Sequence, residues 1–258
     1  MEGKMNTDDK TLPFQILLAG RTIEIRPLYD EIRFFCRDYI LQDHAEESEI
    51  DIAVSEAEIS REAEAVRQED EKAGLLLTHS PAFLENFAIH RKIVSTLAGF
   101  DTVMVHSSVV STGGEGYMIT APSGTGKSTR TKLWVDHIPD SFVVNGDKPL
   151  LRVTDNAIYV YGTPWCGKEG WNTNTSVPLK AIFLLERSNS GNRVEEIGFA
   201  EAFPQLLRQT YRPDDIQAKR KTLQLLQKMA GKVKIYRFRS EPTAEAVQLA
   251  WETAREKT

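Results

Sequence analysis

The sequence has very few cysteines, only two in 258 residues. Cys36 and Cys166 lie far apart, form no C-x-x-C pair and do not cluster with the five histidines. A disulfide framework and a structural zinc site both require closely spaced cysteines or histidines. We therefore expect neither in this chain.

Long apolar runs are lacking as well. No stretch approaches the roughly 20 apolar residues that a membrane-spanning helix needs. Residues 1–10 contain no apolar core of the kind found in a secretory leader. We expect a cytoplasmic protein without a membrane partner.

An excess of positive charge is also absent, because 32 Lys and Arg face 37 Asp and Glu, a net charge of −5. Such a chain has no general attraction for nucleic-acid phosphates. We therefore do not expect DNA or RNA as a partner. With 41% hydrophobic residues, the chain has enough apolar material for one large domain or two unequal ones.

What the sequence does contain is a phosphate-binding pattern. Residues 121–128 read A-P-S-G-T-G-K-S and match the P-loop pattern [AG]-x4-G-K-[ST]. Gly124 and Gly126 allow a turn tight enough to point backbone N–H groups inward. Lys127 can reach the β- and γ-phosphates, and the Ser128 hydroxyl can bind Mg²⁺. The predicted nucleotide-binding residues are Ser123, Gly124, Thr125, Gly126, Lys127, Ser128 and Thr129.

The flanks of this pattern suit a P-loop, which works between a strand and the N-terminus of a helix. Residues 117–120 are β-prone, and residues 127–136 are typical of a helix that ends near Pro139. Ala121 stands where the stricter pattern has glycine. Alanine is tolerated there if the backbone φ at Ala121 is negative.

Short strands surround the P-loop. Residues 102–110 predict a strand that returns through a Gly113-Gly114 turn into the strand 117–120. A tight hairpin forces an antiparallel neighbour, so we expect a mixed sheet. The further predicted elements are a hairpin of 150–153 and 157–161, strands at 181–185 and 233–238, and helices at 201–208, 213–230 and from 243 onward.

The N-terminal region reads differently. A hairpin of 14–18 and 22–26, a polar helix from Ser55 and a helix from Ser80 to Gly99 are predicted there. We therefore divide the chain into an N-terminal α+β region with a linking helix, 1–100, and a P-loop kinase-like core with C-terminal helices, 101–258.

Two carboxylates compete as the second protein ligand of a nucleotide-bound Mg²⁺. Asp147 ends the apolar run 142–146, and Glu186 ends the run 181–185. We favour Asp147, because Gly146 lets the backbone approach the site closely. For Glu186 the competing interpretation is a strand-end carboxylate paired with Arg187 or another surface cation.

His106 is the candidate proton-transfer residue. It lies within the predicted strand 102–110, on the same face as Met104 and Ser108. The pattern does not decide between a core histidine and a catalytic one that faces the γ-phosphate.

A glycine- and tryptophan-rich stretch at 162–175 is typical of a loop over a site. Lys168 in it could neutralise charge on a transferring phosphoryl group, and the two tryptophans could pack on a base or a substrate. For each of these residues the alternative is ordinary surface or packing chemistry. Cys166 has no neighbouring base in the sequence that would activate its thiol.

Arg208 and Arg212 fall near the end of a predicted helix, where a guanidinium could reach phosphate. Helix C-termini also attract cations through the helix dipole alone. We keep Arg212, with Lys168, as a candidate substrate-binding residue.

Taken together, His106 before a hairpin, the run 123–129 and Asn145-Gly146-Asp147 resemble the HPr kinase/phosphorylase family. The resemblance covers roughly residues 100–190. Further likeness to a bacterial branch of HPr-kinase-like proteins lies in residues 162–165, 178–182 and 209–213.

The resemblance implies an α/β fold with a mixed-sheet P-loop core of the HPr kinase/PEP carboxykinase-like type and an N-terminal α+β extension. It implies a phosphotransferase that uses ATP or another phosphate donor with Mg²⁺ and acts on a hydroxyl of a protein, peptide or small molecule. Lys127 and Ser128 would bind phosphate and Mg²⁺, Asp147 would bind metal or act as base, and His106 would assist. The sequence leaves open whether the protein forms a homo-oligomer.

The chain departs from the family at one position. Members carry Asp-Asp where this chain has Gly146-Asp147, so one carboxylate is missing. A nucleotide-binding regulator or degenerate kinase is therefore an alternative. A carboxykinase-type lyase is a further alternative, although it would need a cationic cluster and a second metal that the sequence does not display.

Overall fold

A computed structural model describes residues 11–42, 47–72 and 74–255. Residues 1–10, on which the expected lack of a leader depends, lie outside these ranges. The chain divides into two compact units, residues 1–93 and 94–258. Cys36 and Cys166 are both buried, and neither forms a disulfide.

Across the described ranges, every helix is too short or too polar to cross a lipid bilayer.

The first unit contains a three-stranded sheet. Strands β1 (Phe14–Leu18) and β2 (Arg21–Arg26) form the antiparallel hairpin that the sequence predicts, turning through Ala19 and Gly20 with positive φ. Strand β3 (Ile50–Ala53) pairs with β2 in parallel. It was not predicted, because four residues in a polar stretch give a weak alternation signal.

The α-helices among the described residues of this unit are α1 (Glu31–Phe35), α2 (Glu56–Lys72) and α3 (Pro81–Leu97), the last of which ends in the second unit. Ser55 and Glu58 form a capping box at the start of α2, with each side chain accepting the other residue's backbone N–H. The Ser80 hydroxyl accepts the N–H of Phe83 and caps α3. The predicted starts of both helices are confirmed.

The second unit is built on a nine-stranded mixed sheet with the order β4-β8-β9-β10-β6-β5-β7, in which β12 pairs with β10 and β11 pairs with β12. Strand β10 is parallel to β6 and β12, and every other pair is antiparallel. The predicted mixed sheet is confirmed. The strands are β4 (Thr102–Met104), β5 (Ser107–Thr112), β6 (Glu115–Thr120), β7 (Ser141–Asn145), β8 (Leu150–Val153), β9 (Ile158–Tyr161), β10 (Ser176–Arg187), β11 (Arg193–Ile197) and β12 (Lys234–Ser240).

Helices cover both faces of this sheet: α4 (Lys127–His137), α5 (Phe199–Gln209), α6 (Ile216–Lys228) and α7 (Ala244–Arg255). Trp134 of α4 and Val247 of α7 pack with Phe183 in one core, whereas Leu206 of α5 and Leu225 of α6 belong to the other. Because β10 is covered on both sides, its run 181–185 is buried at every residue.

The single strand predicted over 102–110 is wrong. The chain breaks between β4, which pairs with β8, and β5, which pairs with β6 and β7. At the break, the backbone N–H of His106 donates to Gln209 O at 2.8 Å, and that of Tyr211 donates to Met104 O at 3.0 Å. His106 therefore lies between two strands, held by a segment about one hundred residues further along the chain.

Gly162, which follows β9, gives a test of this packing. A Cβ there would lie 1.9 Å from Thr173 O and 2.8 Å from Val144 O, whereas a Cβ at Gly99 would meet nothing within 4 Å. We expect Gly162→Ala to lower the free energy of unfolding by about 2 kcal/mol or more, and Gly99→Ala to change it by less than about 0.5 kcal/mol. Urea denaturation measures both. Equal stability of the two variants would contradict the packing of Gly162 against residues 144 and 173.

Candidate active site

The predicted phosphate loop lies between the end of β6 and the start of α4. Gly124 and Gly126 have φ of 76° and 102°, a left-handed conformation in which a side chain would be strained. In the described chain the non-glycine residues with positive φ are Ala19, Asp101 and Asp140, so Ala121 meets the condition set by the sequence. The N-terminus of α4, with its partial positive charge, points at this loop.

The Lys127 side chain is held inside the loop. It is 8% exposed, and its Nζ donates a hydrogen bond to Ala121 O at 3.1 Å. Burial lowers the pKa of the Lys127 ammonium, and the nearby Asp147 carboxylate acts in the opposite direction. The ammonium is therefore held against the backbone of the loop 121–128.

Asp147 follows β7 in a turn that Asn145 organises. The Asn145 side chain is fully buried, and its Oδ1 accepts the backbone N–H of Asp147 at 2.9 Å and of Lys148 at 2.7 Å. The carbonyl of Asp147 accepts the N–H of Ser107 at 3.0 Å. These bonds tie the Asp147 backbone both to its own turn and to the start of β5.

The His106 ring lies between Asp147 and Gln209. Its Nε2 is 3.0 Å from Asp147 Oδ1, and its Nδ1 is 3.0 Å from Gln209 Oε1. The backbone carbonyl of His106 accepts the hydroxyl of Thr120 at 2.8 Å. Both the ring and the backbone of His106 are thus fixed at the end of the strand that enters the phosphate loop.

The Asp147 carboxylate is kept ionised by this environment. Burial acts to raise its pKa, but the hydrogen bond from His106 and the charges of Lys148, His106 and Lys127 outweigh burial and leave the pKa below its ordinary value. An ionised carboxylate is the form that binds a metal ion or accepts a proton.

The loop 162–175 is tied along β7. Trp171 O accepts the N–H of Gly146 at 2.8 Å, and the N–H of Thr173 donates to Val144 O at 3.1 Å. The Asn145 amide donates to the carbonyl and hydroxyl of Thr163 at 3.1 and 3.0 Å. The loop therefore forms a fixed wall beside Asp147.

These elements enclose a cavity of about 680 Å³. It brings together His106, Asp147 and Lys168 with the loop residues Ser123, Gly124, Gly126, Lys127, Ser128 and Thr129. The remaining lining residues are Gly146, Gly167, Glu169 and Arg187.

Several predicted residues lie elsewhere. The Thr125 hydroxyl donates to Pro122 O inside the loop rather than lining the cavity. Arg208 and Arg212 are exposed and do not line the cavity. Glu186 pairs with Arg237 and Arg239 at 3.2 and 2.9 Å, as a strand-end carboxylate beside surface cations would.

Arg187 and Gln209 were not among the sequence-based candidates. Arg187 lines the cavity and donates to the carbonyls of Gly124 and Thr125. A cation at the end of a strand parallel to β6 was the available signal, because the carboxyl ends of parallel strands meet at one edge. For Gln209, 103 residues from its partner His106, the sequence carries no such signal.

In the described ranges no group of three or more His, Cys, Asp or Glu side chains is placed to hold a metal ion by itself. A Mg²⁺ ion in this cavity would use Asp147, the Ser128 hydroxyl and phosphate oxygens of a nucleotide. Mg²⁺ is commonly bound in this way, through one or two carboxylates plus substrate phosphates.

No protein-family model and no curated protein matches this chain. Among solved structures, the chain is similar to the Hpr(Ser) kinase/phosphatase from Coxiella burnetii, with 13% sequence identity and a TM-score of 0.35. The match covers 59% of this chain and 88% of that one. A likeness of this size places the chain in no family and assigns it no activity.

The loop 162–175 leaves little room for a side chain at Gly146, next to Asp147. A Cβ at position 146 would lie 2.9 Å from Cys166 O and 3.4 Å from Trp171 O. We expect Gly146→Asp to displace the loop 162–175 and to lower the free energy of unfolding by about 1–3 kcal/mol. Gly146→Ala separates crowding from charge, because it adds the same Cβ without a carboxylate. Thermal unfolding of both variants checks this, and a Gly146→Asp protein as stable as the native one would show that the loop is not fixed.

The lowered pKa of Asp147 predicts a pH dependence of stability. A carboxyl whose pKa is lower in the folded than in the unfolded state stabilises the fold above its unfolded pKa, and this contribution is lost as pH falls through the folded pKa. The difference in unfolding free energy between the native protein and Asp147→Asn should therefore be constant near neutral pH and shrink below about pH 4. Urea titrations from neutral to acid pH measure it.

The matched control for this pH dependence removes the histidine. In a His106→Ala background the carboxylate loses its hydrogen bond, so the acid-dependent part of the Asp147→Asn difference should become smaller. A difference that stays the same at every pH in the native background would contradict a lowered pKa of Asp147.

Proposed function

We propose that this protein is an ATP- and Mg²⁺-dependent phosphotransferase that transfers the γ-phosphoryl group to a hydroxyl of a protein, peptide or small molecule. The observation that carries this proposal is the His106–Asp147 pair, 3.0 Å apart, in the same cavity as Lys127 and Ser128. A phosphate-binding motif alone fits any nucleotide-binding protein, whereas a carboxylate–histidine pair beside it fits transfer to an acceptor.

Binding of the donor is assigned to the phosphate loop. The backbone N–H groups of 123–128 and the α4 N-terminus would face the β- and γ-phosphates, and Lys127 would exchange its bond to Ala121 O for a phosphate oxygen. Ser128 and Asp147 would hold Mg²⁺, which neutralises charge on the phosphates. Lys168 and Arg187 add two cations to the cavity wall.

Transfer of the phosphoryl group requires an oriented hydroxyl. In the proposed step the acceptor oxygen forms a bond to the γ-phosphorus, the bond between that phosphorus and the β–γ bridging oxygen breaks, and ADP leaves. The hydroxyl proton passes to the Asp147 carboxylate, whose orientation His106 maintains through its Nε2. Position 146 supplies no carboxylate, so we assign both metal binding and proton acceptance to Asp147; Glu169 is the other carboxylate that lines the cavity.

A nucleotide-binding regulator is the second candidate. One observation favours it: the carbonyls of Cys166 and Trp171 occupy the space that a carboxylate side chain at position 146 would need. Slow hydrolysis of ATP in buffer with Mg²⁺ alone supports the enzyme, because water then replaces the acceptor.

Nucleotide-dependent stabilisation tests the proposal directly. ATP with Mg²⁺, at about 100 times its dissociation constant, should raise the free energy of unfolding by about 2.7 kcal/mol. Lys127→Ala should abolish this gain together with turnover, and Asp147→Asn should abolish its dependence on Mg²⁺. Thermal unfolding with and without Mg²⁺ measures each effect.

The matched control is Glu186→Gln, which removes the competing strand-end carboxylate and should leave the Mg²⁺ dependence intact. Full Mg²⁺-dependent turnover in Asp147→Asn would overturn the metal assignment. Absence of any nucleotide effect in the native protein would overturn the phosphotransferase itself.

A further inference from the structure

A second cavity lies between α4 and β7. Its volume is about 580 Å³, and it is lined by Val135 and Asp136 from the helix, Phe142 and Val143 from the strand, and Trp171 and Thr173 from the loop 162–175. A recess of this size, mainly apolar with a few polar groups at its rim, is typical of small-molecule sites.

Residues of α4 line both cavities. Ser128 lines the first cavity, and Lys132 and Val135, which line the second, follow it on the same helix face at spacings of four and seven residues. With a rise of 1.5 Å per residue, Val135 lies roughly 10 Å along the axis from Ser128.

The loop 162–175 also lines both cavities. Residues 167–169 line the first cavity, and residues 170–173 line the second. Strand β7 spans the same distance, because Phe142 lies at the second cavity and Asn145, three residues or roughly 10 Å further on, precedes the Asp147 turn.

The aromatic side chains of this recess are available to a ligand. Phe142 is 41% exposed and Trp171 is partly exposed, whereas Trp165 is buried at 7% and Trp134 at 0%. The sequence-based hypothesis that a tryptophan packs on a base therefore applies to Trp171. Aromatic faces of this kind stack on nucleobases.

The rim supplies charge and hydrogen-bonding groups. The Asp136 carboxylate, paired with Lys132 at 2.7 Å, can accept from a base or a ribose hydroxyl. Lys132 lies between the recess and the phosphate loop, where a cation favours the α-phosphate.

We propose that the second cavity binds the nucleoside of the phosphate donor, so that the donor is a nucleoside triphosphate rather than pyrophosphate. The inference rests on the proposed function, since it requires phosphates in the loop 121–128. A base held roughly 10 Å from the Asp147 turn is connected to the phosphates through its ribose. An acceptor segment held at the same place would not reach the position of the attacking hydroxyl. This position favours the nucleoside over an apolar segment of the acceptor.

The test compares two diphosphates, one with a nucleoside and one without. Calorimetric titration with Mg²⁺ should show ADP binding at least about tenfold more tightly than pyrophosphate. Trp171→Ala and Phe142→Ala should each weaken ADP by about 5- to 100-fold and leave pyrophosphate unchanged. Trp171→Phe retains an aromatic face and should retain most of the ADP affinity.

Tyr159→Ala is the matched control, because Tyr159 is 38% exposed on β9 and does not line the recess. It should bind both ligands like the native protein. Equal affinity of the native protein for ADP and pyrophosphate, or an unchanged ADP affinity in both aromatic variants, would overturn the nucleoside site and leave the recess to the acceptor. If in that case the native protein binds pyrophosphate and Lys127→Ala does not, the proposed phosphate site still stands. If the native protein binds neither ligand, both proposals are overturned.

Discussion

The site depends on the hydrogen bonds of one buried side-chain carboxamide, that of Asn145. All of its hydrogen-bonding groups act within a few ångströms of Asp147, because Oδ1 fixes the turn after β7 and Nδ2 fixes the loop that covers it. If the buried amide lost these partners, the free energy of unfolding would fall by about 1–3 kcal/mol for each unsatisfied group. The same residue thus aims the carboxylate and secures the wall of the cavity, so the two features are built as one unit.

The antiparallel hairpin β5–β6 determines which side chains lie beside the loop 121–128. Because β5 runs against both β6 and β7, its first residue, Ser107, pairs with Thr120 at the end of β6 and donates its N–H to Asp147 just after β7. Thr120, which leads into the loop, His106, which precedes β5, and Asp147, which follows β7, therefore come together at one edge of the sheet. A purely parallel sheet would separate neighbouring strands by crossover helices and could not bring these three chain segments together so directly.

Local patterns predicted most of the elements of the second unit, since glycine turns, apolar runs and capping residues act over a few positions. Strand β6, helix α4 and the hairpin β8–β9 follow from such signals, as does the start of α3 at Pro81 in the first unit. Strands β3 and β11 were missed because each is short and half polar. The break at His106 was missed because its cause, the backbone of Gln209 and Tyr211, is remote in sequence.

For the site, the sequence supplied the motif residues and the structure supplied their partners. Lys127, Ser128, Asp147 and His106 were named from residue type and spacing, and they line one cavity. Arg187 and Gln209 join the site through contacts that are distant in sequence. The close packing around Gly146 depends on the loop 162–175. Such contacts are set by tertiary structure, on which single-sequence patterns carry little information.

The backbone pairing of residues 104–106 with 209–211 has a consequence for how the chain folds during synthesis. A ribosome releases the phosphate loop, both ends of β7 and the Asp147 turn about sixty residues before it releases Tyr211, so the His106 segment waits for its partner while the rest of the site is already outside. Closing a loop of about one hundred residues costs entropy that no local contact offsets. A nascent chain that stops before α5 would therefore carry the loop 121–128 beside a histidine that lacks its contacts with residue 209, and those contacts are a late step in assembling the cavity.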